Sequence, residues 1–195
     1  HTDRNHNSFY LIDDSEYSIP TEKIAEWSDH LPIKVIQPQT RDYFLTSLCE
    51  VIQEIGLGDF CIIQDHVILT PDWLPGLSEA AYSSKSIGIV SPVTPTHPIY
   101  SFKMKPGDNA MTCAKKLRLV TQSEFPQILM ADPAIFYIKY SVTKDFISIA
   151  KSIKNSPILV SLISISLALL KKNFITVLAD NTYIHVSKNP EEDHS

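Results

Sequence analysis

Gly58-Asp59-Phe60-Cys61-Ile62-Ile63-Gln64-Asp65-His66-Val67-Ile68-Leu69-Thr70-Pro71-Asp72-Trp73-Leu74 is the stretch around which the rest of the chain is read. The run Phe60 to Ile63 is apolar without alternation, the pattern of a strand covered on both faces. Three polar residues, Gln64-Asp65-His66, end it. A helix is expected next, with Thr70 as N-cap, Pro71 in the first turn, and Trp73 and Leu74 facing the core. If the strand geometry continues through the triplet, Gln64 and His66 share one side and Asp65 opposes them.

Working outward, Phe9-Tyr10-Leu11-Ile12 and Ile33-Lys34-Val35-Ile36 read as strands, with a short helix from Ile19 to Trp27 between them. From Asp42, the residues Phe44, Leu45, Leu48, Val51, Ile52 and Ile55 recur at helical spacing, and Gly56 and Gly58 close the segment as caps do. Further strands are read at 87–90, 135–140 and 175–184, and helices at 142–153 and 159–170. Strand and helix alternate, so the fold class is α/β, with a mostly parallel sheet flanked by helices. Ligands in such sheets bind beyond the carboxyl ends of strands, which selects Asp13-Asp14, Gln37 and Gln64-Asp65-His66. Residues 91–127 hold five prolines among polar residues and read as loop-rich and partly mobile.

The chain has 195 residues, 44% of them hydrophobic, enough for one sizeable core. Its 17 basic and 22 acidic residues give no broad cationic surface, so nucleic acid is not an expected partner. Cys49, Cys61 and Cys113 are odd in number and widely spaced, which argues against a disulfide framework or structural zinc and points to a reducing, cytoplasmic or membrane-peripheral setting. Cys49 and Cys61 read as core residues. The apolar run Ile158 to Leu170 falls short of the roughly 20 residues that a bilayer crossing takes, so no transmembrane segment is expected and the run reads as a buried helix. No GxGxxG or P-loop occurs, which disfavours an unrelated Rossmann-type nucleotide binder.

The quoted stretch resembles the centre of the inverting nucleotide-sugar glycosyltransferases of family 2, whose members carry a Gly-Asp-aromatic opening, an apolar strand, an acidic DxD-type triplet and a Pro-x-Trp-Leu helix start. Leu11-Ile12-Asp13-Asp14-Ser15 resembles the family's second strand with its base- and ribose-contacting Asp. Ile87-Gly88-Ile89-Val90-Ser91-Pro92 resembles the strand after the triplet's helix, and the region from Leu169 to His185 resembles the late helix, strand and terminal metal-side His. The resemblance implies the GT-A fold, a nucleotide-diphosphate sugar donor and a divalent metal, manganese or magnesium. It also implies inverting transfer to an acceptor of unknown class: glycan, lipid or protein. On it, Asp13, Gln64 and Asp65 would contact the nucleotide sugar, and His66 and His185 would be the metal-side ligands. A DxH triplet occurs in related GT-A enzymes that glycosylate polypeptides. The chain is expected to divide into a nucleotide-binding half (8–90), the Pro-rich region (91–128) and an acceptor-side half (129–188) of one domain, 1–195.

Three departures bear on the chemistry. No counterpart of the family's first strand precedes Phe9. The triplet begins with Gln64. The acidic pair that supplies the family's base falls on residues 159–164, where no carboxylate occurs. Inverting transfer needs a base for the acceptor hydroxyl and charge to stabilise the leaving diphosphate. Asp132 is the candidate base, with Asp108 as the other carboxylate to hand. The same losses motivate the alternative of a catalytically inactive GT-A-like scaffold or protein-interaction module. Asp13 equally suits ordinary turn chemistry at a strand end, and His66 a solvated strand terminus.

Overall fold

The apolar runs become strands close to where the sequence places them. The structure, a computed structural model, describes residues 7–13, 19–28, 33–39, 44–153 and 156–187. The turn read at Asp14-Ser15 and the helix start read at Asp42 lie outside the described residues. β1 (Phe9–Ile12) and β2 (Ile33–Ile36) run parallel, with Phe9 opposite Ile33 and α1 (Thr21–Ser28) between them in the chain. They form a two-stranded sheet of their own. The main sheet has the order β3 (Phe60–Ile63), β7 (Ile135–Ile138), β5 (Ile87–Val93), β8 (Ile175–Tyr183), β6 (Gln127–Ile128).

The α/β class is as expected, and the strand directions are more mixed than a mostly parallel reading suggests. β3, β5 and β8 run one way, while β7 lies antiparallel between β3 and β5 and β6 lies antiparallel to β8. Every residue of β7 is buried. A strand covered on both faces is a continuous apolar run whichever way it points, so its sequence does not reveal its direction.

Alternation along the central strands sends their side chains to two cores. Phe136, Ile138 and Ile89 face α2 (Phe44–Ile55), α5 (Tyr140–Ser152) and α6 (Ile158–Leu170), where Leu48, Phe146, Leu162, Ile165 and Leu169 are buried. Ile135, Tyr137, Val90 and Val177 face α3 (Trp73–Ser83), whose Trp73 and Leu77 are buried with them. Burying one such side chain stabilises by about 1.5–3 kcal/mol, and a third buried cluster, which includes Cys113, Leu117, Leu178 and Tyr183, adds to these two. α2 ends as its sequence predicts: Gly56 has φ of 101° and donates its N–H to the Ile52 carbonyl. Cys49 is buried, as read, while Cys61 is half-buried. Burial pushes both thiols up, Cys49 to about 11.

Three expectations are corrected. Residues 91–127 contain α4 (Ala110–Val120), started by Asn109, whose side chain accepts from Thr112 N–H at 2.9 Å; this cap and the buried stripe Cys113, Ala114, Leu117 overcome the surrounding prolines. Thr70 does not cap α3. Its hydroxyl donates to the Tyr183 carbonyl, and the cap position falls to Asp72, in left-handed conformation at φ 57° with no side-chain cap bond. α6 is not buried all round: Ser161, Leu162, Ile165, Ser166 and Leu169 are buried, whereas Leu159, Val160, Leu167 and Leu170 are exposed, because the helix packs on one side of the sheet only. Among the described residues no helix is long and apolar enough to cross a membrane.

Asp59, ahead of β3, ties four elements together. Its Oδ2 accepts from the Tyr82 hydroxyl of α3 at 2.6 Å and the Tyr137 hydroxyl of β7 at 2.8 Å, and its Oδ1 accepts from Tyr140 N–H at 2.6 Å. Tyr140 opens α5, and Lys139 at the cap position makes no side-chain cap bond, so the carboxylate of Asp59 serves as the cap from outside the helix. The Lys139 ammonium donates to the Ala81 and Ser84 carbonyls and lies 4.6 Å from the Tyr82 ring centroid. The hydrogen bond to Asp59 pushes the Tyr82 phenol up to about 12, and burial followed by the same carboxylate raises Tyr137.

These contacts and the packing of α3 give three measurable outcomes. A phenol whose folded pKa is raised contributes stability that is complete below its unfolded value of about 10 and is lost as pH climbs through the folded value. Lys139, lowered by desolvation, acts in the opposite sense just below its own unfolded value and only partly offsets the fall. Denaturant midpoints should therefore drop between pH 10 and about 12. In Asp59→Asn, phenolate absorbance should show Tyr82 titrating near about 10 instead. In α3, a Cβ built on Gly76 would clash with Thr182 Oγ1. Gly76→Ala should cost about 1–3 kcal/mol in urea unfolding, part of it recovered in the double variant with Thr182→Ala.

Candidate functional site

The carboxyl end of β3 is held against the turn that precedes β7. Ile63 pairs with Ile135, and one residue on, Gln64 N–H donates to the Ala134 carbonyl at 2.9 Å. The strand ends there. Asp65 and His66 form a turn closed by Val67 N–H to the Gln64 carbonyl at 3.3 Å. Strand alternation therefore does not extend through the triplet, and Asp65 and His66 are not on opposed sides: Asp65 Oδ1 lies 3.2 Å from His66 Nδ1. The Asp65 side chain is fully exposed and that of His66 about a quarter so, 102% and 23%.

β4 (Val67–Ile68) then pairs antiparallel with β9 (His185–Val186), setting Ile68 opposite His185. Ser187 extends the contact, its N–H and hydroxyl both donating to the His66 carbonyl, at 3.1 and 2.7 Å. His66, in the turn that leads into β4, and His185, on β9, are thus brought to the same strand pair from distant parts of the sequence. His185 Nδ1 lies 3.4 Å from the Tyr183 hydroxyl. Among the described residues no group of three or more His, Cys, Asp or Glu side chains could hold a metal ion by itself. The chain alone offers two imidazoles and a neighbouring exposed carboxylate, an incomplete set for a hard cation.

Asp132 is 1% exposed, and both its carboxylate oxygens are engaged. Oδ2 accepts from the Thr94 hydroxyl and Oδ1 from Ala134 N–H at 2.8 Å, while its own N–H donates to Ser91 Oγ at 2.9 Å. Asp132 and Gln64 therefore grip the same residue, Ala134, from its two backbone sides. Thr94 Oγ1 accepts from His97 N–H at 3.0 Å. His97 is 2% exposed, and its Nδ1 accepts from the N–H groups of Ile99 and Tyr100, at 3.1 and 3.0 Å. With Nδ1 an acceptor, the ring proton is on Nε2, which donates to the Met130 carbonyl at 3.2 Å. Asp13, also buried, lies at the end of β1, where Oδ2 accepts from Ile19 N–H at 3.1 Å and Gln37 Nε2 at 3.3 Å. Asp108 lies elsewhere, paired with Lys116, which holds its carboxyl below the usual range.

The fold thus joins Gln64 to Asp132 and His66 to the strand of His185, and places Asp13 and Gln37 together on the separate small sheet. Sequence reading missed Ser91, Thr94 and His97. The available signal was position: Ser91 and Thr94 follow the apolar run of β5 at its carboxyl end, where the strand-end rule applies. A concave pocket of about 410 Å³ lies away from this group, between Leu167 and Leu170 of α6 and Gln127 to Leu129.

No described protein family and no curated protein matches the sequence. Solved structures do match. The structure of GalNAc-T7 with UDP, GalNAc and Mn2+ superposes with a TM-score of 0.67 at 14% identity, over 92% of this chain and 37% of that one. Mannosyltransferase PcManGT from Pyrobaculum calidifontis, in complex with GDP-Man and Mn2+, gives 0.61 at 12% identity, over 96% of this chain and 50% of that one. The chain has the GT-A glycosyltransferase fold. It spans half or less of the length of these two structures.

Asp132→Asn tests the buried network. An amide can accept one of the two donors, Thr94 or Ala134, and must turn its NH2 toward the other, leaving a buried donor unpaired. We expect a loss of about 1–3 kcal/mol in stability, read as a lowered thermal midpoint.

Proposed function

We propose that the chain is a family 2-like glycosyltransferase domain that holds a nucleotide-diphosphate sugar across the Gln64-Asp65-His66 turn. The supporting observation is the convergence, in a GT-A fold, of three segments at one strand end: the triplet turn, the Asp132 turn and β9 with His185. Two solved neighbours of this fold hold UDP or GDP-Man together with Mn2+. Asp13, Gln64 and Asp65 contact the nucleotide sugar in this reading. His66 and His185 would hold a divalent cation through ring nitrogens, although among the described residues the protein groups alone do not complete a shell. Such a cation, when bound, neutralises charge on the leaving diphosphate.

Transfer with inversion then requires a base. The acceptor hydroxyl loses its proton to that base, its oxygen bonds to the anomeric carbon, and the bond from that carbon to the diphosphate breaks, releasing nucleoside diphosphate. Asp132 is the buried carboxylate nearest in the hydrogen-bond network to Gln64, and it serves as base once the Thr94 hydroxyl releases Oδ2. The second reading, an inactive scaffold, is favoured by the same engagement of Asp132 and by the absence of any carboxylate at residues 159–164.

Calorimetric titration with UDP- and GDP-sugars, with and without manganese, separates the readings. Manganese-dependent binding, weakened roughly 10- to 100-fold by His66→Ala, is the expected result. Failure to bind every donor would remove the donor site. Donor binding with no hydrolysis or transfer, equal in the parent and Asp132→Ala, would leave the scaffold.

A further inference from the structure

Tyr183 is 1% exposed at the end of β8, and its place is set from several sides. Its carbonyl accepts from the Thr70 hydroxyl, and the next residue, Ile184, donates its N–H to the Val93 carbonyl at 3.0 Å. The Phe102 ring meets the Tyr183 ring edge-on at 5.9 Å between centroids, and Cys113, Leu117 and Leu178 pack in the same buried cluster. A hydroxyl on a ring held this way has little freedom of position.

That hydroxyl has two polar neighbours. The Cys113 thiol, wholly buried on α4, is hydrogen-bonded to it, and His185 Nδ1 lies 3.4 Å from it. Pairing of β9 with β4 fixes the His185 backbone, but not the twofold choice of which ring edge turns inward. Among the described residues no other side chain is hydrogen-bonded to the His185 ring. Tyr183 therefore makes that choice: Nδ1 faces the buried hydroxyl, and Nε2 is the nitrogen left for a ligand.

The thiol explains how the contact survives ligation. An imidazole that gives its Nε2 lone pair to a cation carries its proton on Nδ1, which then donates to Tyr183 Oη. The phenol must turn its own O–H elsewhere, because a buried hydroxyl without an acceptor is costly. Cys113 Sγ is the acceptor already in contact.

We infer that Tyr183 is a positioning residue for His185, and that Cys113, Tyr183 and His185 form a relay presenting Nε2 to a divalent cation held with a nucleoside diphosphate. This rests on the glycosyltransferase reading of the site and adds to it two residues that act only through His185. Neither Tyr183 nor Cys113 takes the acceptor's proton.

The test combines two measurements on the whole chain. Nitrogen NMR of histidine-labelled protein, with His185 assigned through His185→Gln, reports the state of each ring nitrogen, and calorimetry gives the affinity for UDP and GDP with and without manganese. Tyr183→Phe keeps the packed ring and removes only the oxygen. It should shift the His185 nitrogen signals and weaken manganese-dependent nucleotide binding about tenfold, while manganese-free binding stays at the parent's value. Cys113→Ala should act in the same direction to a smaller extent, and parent-like binding by it would take the thiol out of the relay. If the parent binds nucleotide with manganese and Tyr183→Phe matches it in affinity or in His185 signals, Tyr183 does not position the ring, and the donor site stands. If manganese adds nothing to binding by the parent, His185 presents nothing to a cation, and the proposal falls while the donor site again stands. If the parent binds neither nucleotide, the transferase reading falls and the His185 signals alone decide: a shift in Tyr183→Phe keeps the orientation, and unchanged signals overturn it.

Discussion

The position of β7 between β3 and β5 is the constraint on which the rest of the structure depends. These two strands come from the same half of the chain, and without β7 they would have no hydrogen-bonded neighbour in common. Its residues feed both cores by alternation, so its pairing register decides which side chains meet α3 and which meet α5. A slip of one residue would exchange Phe136 for Tyr137 and turn the Tyr137 hydroxyl away from Asp59. The register with β3 also sets Ala134 beside Gln64, and so fixes where the turn carrying Asp132 meets the triplet.

Polar groups around the site divide sharply by environment. Asp132, Thr94, Ser91 and His97 are buried, and each has its hydrogen bonds, as burial demands when an unpaired polar group costs on the order of 1–3 kcal/mol. Their function in the fold is to give two irregular segments, 94–102 and 129–134, the rigidity that regular ladders give strands. Asp65 and His66 stand outside that network in a turn with access to solvent. A site built this way has a stiff floor and an accessible rim.

Much of this was legible in the sequence where one physical signal dominated. The apolar runs at 60–63 and 87–90, the strand read at 135–140 apart from its last two residues, which turn into α5, the spacing along α2 and the glycine that ends it all reflect burial or a backbone conformation that few other residues tolerate. Strand direction was not legible, because β7 is apolar on both faces. α4 was obscured by prolines on either side that outweighed a four-residue capping signal at Asn109. Thr70 was misassigned because a hydroxyl ahead of a helix is an equally good donor to a distant carbonyl, and only the fold reveals that Tyr183 is within reach. The buried His97 network escaped for the same reason: its partners are separated by more than 30 residues in sequence.

The aspartates that bracket β3 have one more consequence. Among the described residues β3 is an edge strand, four residues long and free of charge, the kind of segment that templates the stacking of further chains. Asp59 stands immediately before it and Asp65 two residues after it, the latter with its side chain wholly in water. A second copy growing onto that edge would bring carboxylates close to carboxylates at both ends, at a spacing too short to escape them. The charges that frame β3 thus also act as gatekeepers against fibrillar association of this edge of the main sheet.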